Sequence, residues 1–75
     1  MATLRLDVAR VRQFMEERGL NERDLAAEMD IAYSYLNRLL RGKRGLGVHA
    51  IAGFLRAGLQ WEDIFTVVDD VNDIP

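Results

Sequence analysis

Cysteine is absent, and proline occurs once, at the last of 75 positions. The first absence excludes a disulfide framework and a thiolate metal site. The second leaves helices unobstructed along the chain. Histidine is represented by His49 alone. A lone imidazole, with no second ligand at metal spacing and no nucleophile beside it, predicts a helix-surface or partner-contact role rather than catalysis. No apolar run approaches the roughly 18 residues of a membrane span, and residues 1–7 lack the apolar stretch of a secretion signal. Gly42 and Gly45 flank a turn without Walker spacing. Asp69, Asp70 and Asp73 lack the glycine and closing glutamate of a calcium loop and read as a solvated tail. With no paired acid and base, nucleophile or metal cluster, an enzyme is not expected, nor a cofactor. The expectation is a soluble, cytoplasmic protein forming one domain over residues 1–75.

Acid and base are unevenly spread. The net charge is −2, with a pI near 5.2. Residues 31–61 nevertheless carry Arg38, Arg41, Lys43, Arg44 and Arg56 and no acid. Residues 62–75 carry five acids and no base. A polyanion responds to the local patch rather than to the total, so the middle of the chain is the cationic candidate surface.

Apolar spacing predicts helices almost throughout. Asp7 caps a first helix to about Arg18, with Val8, Val11, Phe14 and Met15 on one face and Gly19 as its stop. Asn21 caps a short second helix, with Asp24 completing a capping-box pair and Leu25, Ala26 and Met29 inward. The chain turns at Asp30. A third helix over 33–41 buries Leu36, Leu39 and Leu40 and stops at Gly42. A fourth, near 47–57, is expected to turn Val48, Ile51, Phe54 and Leu55 inward. Gly53 within it costs about 1 kcal/mol against alanine, which predicts close approach of another helix. Trp61-Glu62-Asp63-Ile64-Phe65 closes the helical part. The extended termini, about 3–6 and 66–75, are open to two readings. They pair as a β-ribbon, within one chain or between two, or they fray.

Two short helices joined by a tight turn, with small Ala26 at their crossing and a basic turn after them, present the outer face of the second helix. A major groove about 12 Å wide accepts such a helix. Here the sequence resembles the Cro/C1-type (Xre-like) helix-turn-helix regulators. The resemblance is carried by Leu25-Ala26, by Tyr33-Ser34-Tyr35-Leu36-Asn37-Arg38, by Gly42-Lys43-Arg44 and by Trp61-Glu62-Asp63-Ile64-Phe65. It implies an all-α, compact five-helix, lambda-repressor-like domain with its motif at about 21–41. It also implies a transcriptional regulator of bacterial, phage or mobile-element type, expected to be a repressor, binding a palindromic operator in duplex DNA as a homodimer.

Three positions depart from the family pattern: Glu22 for a phosphate-clamping Gln, Asp30 for a turn Gly, and Ala32 for a capping Ser. Arg23 beside Glu22 is the substitute phosphate ligand.

On residue chemistry, Tyr33, Ser34, Tyr35, Asn37 and Arg38 are the candidate base contacts. Asn suits adenine N6 and N7, Arg suits guanine O6 and N7, and the tyrosines offer hydroxyls and rings. Asn21, Arg23, Arg41, Lys43 and Arg44 are the candidate backbone contacts, which position without specifying. Trp61, Phe65, Val67 and Val68 form a candidate dimer or partner surface. The alternative function uses that surface in a protein-interaction module such as an antitoxin or antirepressor.

Overall fold

A computed structural model describes residues 2–43 and 45–69. Its elements run β1 (Ala2–Leu6), α1 (Val8–Arg18), α2 (Glu22–Met29), α3 (Tyr33–Leu40), α4 (Val48–Ala57), α5 (Trp61–Ile64) and β2 (Phe65–Asp69). Arg44 and the tail from 70 to 75 lie outside the described residues. The all-α expectation with a small terminal ribbon holds, and each expected helix is present within about a residue of its expected ends.

Local chemistry sets those ends. The Asp7 carboxylate accepts from the Arg10 N–H at 3.2 Å and caps α1. At α2 the capping box is complete: Asn21 Oδ1 accepts from the Asp24 N–H at 2.7 Å, and Asp24 Oδ2 accepts from the Asn21 N–H at 3.1 Å. The last carbonyls of α1, α2, α3 and α4 are all closed by the same pair of reversed hydrogen bonds. At α3, Gly42 donates to Leu39 O at 3.2 Å and Lys43 donates to Arg38 O at 2.9 Å. Gly42 takes φ +72° to do so. The turn thereby folds Lys43 back over the end of α3.

At α2 the left-handed position belongs to Asp30, at φ 59° and ψ 44°. An L-residue there is strained by about 1 kcal/mol. Its charge also meets the negative end of the helix dipole. Asp30→Gly is expected to relieve both, raising stability by about 1 kcal/mol and the melting temperature by about 4–8 °C. A thermal melt checks it, and no gain would mean that the Asp30 side chain supplies compensating contacts.

Among the described residues the core is a single cluster, with Val11, Leu25, Leu36, Ala50, Phe54 and Ile64 at its fully buried centre. The expected inward faces of α1, α2 and α3 are found, with Val8, Phe14 and Ile31 partly buried at the margin. The expectation for α4 is corrected. Val48 is 81% exposed and Leu55 41% exposed, while Ala50, Gly53, Phe54 and Ala57 are buried. The cause is the crossing with α2: a Cβ built on Gly53 would lie 3.1 Å from both the Cβ and the carbonyl oxygen of Met29. So close an approach requires small residues at the contact, and this rotates the larger Val48 and Leu55 outward.

The termini pair within one chain. β1 and β2 run antiparallel, with Leu4 opposite Val67 and Leu6 opposite Phe65. The Asp7 N–H donates to Ile64 O at 2.9 Å, carrying the pairing into the helical body. Arg10 Nε and Nη2 both donate to Asp63 Oδ1, at 3.1 and 2.7 Å, and tie α1 to α5. That hydrogen bonding and the Asp63 charge raise the Arg10 pKa further above its ordinary value. Among the described residues no helix is long and apolar enough to cross a membrane.

Candidate nucleic-acid interface

Helical geometry orders the outer surface of α3. At 100° per residue, Ser34, Arg38 and Arg41 share one line opposite Leu36 and Leu39. All three are exposed and the two leucines are buried. Tyr33 and Asn37 lie on the flank toward the start of α2, and Tyr35 lies on the flank toward α4. Two surface clefts follow the same division. One is lined by Ile31, Ala32, Ser34, Tyr35, Arg38 and His49. The other is lined by Asn21, Glu22, Arg23, Tyr33 and Arg41.

The side chains of this surface differ in how they are held. Arg38 is exposed. Tyr33 is 36% exposed, and its ring carries the Arg23 guanidinium 4.3 Å from its centroid. Tyr35 is half-buried against the core, with its hydroxyl 3.8 Å from the position of a Cβ on Gly47. Its ring is thus anchored between α3 and the start of α4. Asn37 is also half-buried: its Nδ2 donates to Glu22 Oε1 at 3.0 Å, and its Oδ1 accepts from Arg41 Nε at 3.1 Å. Glu22 Oε2 accepts from Arg12 Nη1 at 3.3 Å. Asn21 uses its Oδ1 and its N–H in the α2 cap.

The five candidate base contacts therefore belong to one helix, with Arg23, Arg41 and Lys43 beside it. Arg44 falls outside the described residues. Two participants, Glu22 as a hydrogen-bond partner of α3 and Arg12 behind it, were not legible as such. They stand 15 and 10 residues from their partners, and no local spacing signals such a meeting. His49 is exposed on α4 beside Arg38.

The start of α3 lacks a side-chain cap, since Ala32 occupies the N-cap with φ −68° and ψ 141°. Ala32→Ser supplies the missing acceptor, and a gain of about 1 kcal/mol in unfolding free energy is expected from denaturant titration. An unchanged midpoint would show that the Ser hydroxyl does not reach the N2 or N3 amide.

Of the candidate partner surface, Trp61 and Val67 are 53% and 64% exposed, and Leu4, opposite Val67, is 50% exposed. Phe65 is half-buried and meets Trp61 edge to face, with centroids 5.1 Å apart. Val68 pairs with Thr3 through the backbone.

No curated protein and no solved structure matches the chain. The helix-turn-helix family matches residues 11–61, more than half of it. The matched segment spans from within α1 to the start of α5 and leaves both ribbon strands outside. With two helices joined at Asp30, an outward α3 and this match, the chain belongs to the Cro/C1-type helix-turn-helix family, a family of DNA-binding domains.

Proposed function

We propose that the protein is a sequence-specific repressor of bacterial, phage or mobile-element type that acts in the cytoplasm as a homodimer on a palindromic operator. The observation that carries this reading is the exposed line of Ser34, Arg38 and Arg41 on α3, over a buried leucine face and beside Arg23 and Lys43. In the major groove, Arg38 reads guanine O6 and N7, while Ser34 and Asn37 read neighbouring base edges. Tyr33 and Tyr35 border that edge and contribute rings or hydroxyls. Asn21, Arg23, Arg41, Lys43 and Arg44 hold phosphates and fix the register. Repression by occlusion needs nothing beyond the bound domain.

One domain touches few base pairs, so two copies on half-sites about 34–36 Å apart supply the selectivity. The ribbon supports the dimer: Leu4 and Val67 form an exposed apolar cross-strand pair, with Trp61 exposed at the adjoining end of α5. The same exposure favours the second reading, a protein-interaction module of antitoxin or antirepressor type. Selection from a random-sequence duplex pool tests the first reading. An enriched motif with two-fold symmetry is expected. No enrichment, together with a stoichiometric protein partner that persists without DNA, favours the second.

A further inference from the structure

We infer that Glu22 is a positioning residue for base reading: backed by Arg12, it fixes the Asn37 amide in the single orientation that matches one adenine. The inference deepens the DNA-reading function proposed above and rests on it.

The orientation follows from the partners. An ionised carboxylate only accepts and a guanidinium only donates. Glu22 Oε1 at 3.0 Å therefore requires Nδ2 of Asn37, and Arg41 Nε at 3.1 Å requires Oδ1. Flipping the amide would set oxygen against oxygen and N–H against N–H. Glu22 is itself held: its side chain is 18% exposed, and Arg12 Nη1 lies 3.3 Å from the other carboxylate oxygen. A chain of contacts thus runs from α1 through the first residue of α2 to the middle and end of α3.

The amide keeps what an adenine needs. Nδ2 has two N–H groups, one of them given to Glu22, and Oδ1 has two lone pairs, one of them taken by Arg41. One donor and one acceptor remain, the complement of adenine N7 and N6–H₂ in the major groove. An amide already fixed loses less rotamer freedom on binding than one that must be ordered. The negative charge of Glu22 acts separately, opposing phosphate approach on every sequence alike.

Orientation and charge are separable by substitution. Glu22→Gln retains an oxygen that accepts from Asn37 Nδ2 and removes the charge; Glu22→Ala removes both. The experiment is selection and competition binding on random duplex DNA at two salt concentrations, with native protein, E22Q, E22A, R12A and N37A. Thermal melts confirm that each variant is folded. Native protein is expected to prefer adenine at one position of each half-site, a preference that N37A abolishes. E22A should lower it by about threefold to tenfold, the freedom of one released side chain, while tightening binding to all sequences. E22Q should tighten binding alike and retain the preference. R12A, which leaves Glu22 without its anchor, should weaken the preference at that same position. An E22A profile identical to that of native protein at the position N37A defines overturns the inference and leaves DNA reading intact. So does an N37A variant that changes no position while native protein still selects a site. If native protein selects no site, the function beneath the inference fails with it.

Discussion

Gly53→Val is expected to leave the domain largely unfolded at 37 °C. The Cβ position on Gly53 lies 3.1 Å from Met29 Cβ, 3.1 Å from Met29 O and 3.2 Å from Met29 Cε. Two of those three atoms are fixed by the α2 backbone, so no side-chain rotation clears the site. Overpacking of this kind costs about 3 kcal/mol or more for a β-branched group with two further methyls. A fold this small has only a few kcal/mol in reserve. Gly53→Ala is the finer test. It gains about 1 kcal/mol of helix propensity but must push α2 and α4 apart, for a net loss of about 1 kcal/mol. Adding Met29→Ala should not rescue it, because the Cβ and the carbonyl oxygen remain. A Gly53→Ala protein that melts higher than the native one would show that the crossing can relax. Function should follow stability here, because α4 supports α2 and α2 carries the turn that presents α3.

Raising salt from 50 to 200 mM is expected to weaken operator binding by about 10⁴- to 10⁵-fold. Four or five phosphates neutralised by each protomer of the proposed dimer give a log–log slope of about −7 to −9. The overall charge of −2 does not set this response: residues 31–61 contain no acid, and Glu22, the acid bonded to α3, is paired with Arg12. Within that frame Arg38 and Lys43 should separate cleanly. Arg38 is exposed on the central line of α3, so Arg38→Ala should relax preference at one base by about 1–3 kcal/mol. Lys43, folded back at the end of α3 by its bond to Arg38 O, should act on phosphate. Lys43→Ala is then expected to weaken all sequences alike and to make the slope shallower by about one per protomer. Fluorescence titration at four salt concentrations, followed by selection with each variant, measures both. A flat salt response, or the same selection profile for the two variants, would refute the assignment of roles.

Much of the fold is legible because its signals are local. Asp7, Asn21 and Asp24 announce helix starts through bonds spanning three residues. Gly19 and Gly42 announce stops, and the apolar periodicity of α1, α2 and α3 matches their buried faces. Mid-helix Gly53 was informative because its intrinsic cost demands a reason, which the contact with Met29 supplies. The orientation of α4 was not legible. Val48, Ile51, Phe54 and Leu55 make an inward set by hydrophobicity; Phe54 is buried and Ile51 partly so, but the closeness of α2 puts Ala50, Gly53 and Ala57 inward and leaves Val48 and Leu55 exposed. Arg23 lies over Tyr33, and Glu22 holds Asn37, across gaps that no sequence period encodes.

Helix starts and stops, the apolar faces of the first three helices and the gathering of cationic side chains after the third all follow from the order of the residues. Those properties reside in neighbouring residues and survive without knowledge of the rest of the chain. Packing in three dimensions sets how α4 is rotated, that β1 closes on β2 of the same chain, and which group the Asn37 amide faces. Each of these depends on distances between segments far apart in sequence, where packing at van der Waals contact and pairing of complementary donors and acceptors choose among arrangements that local propensity leaves equivalent.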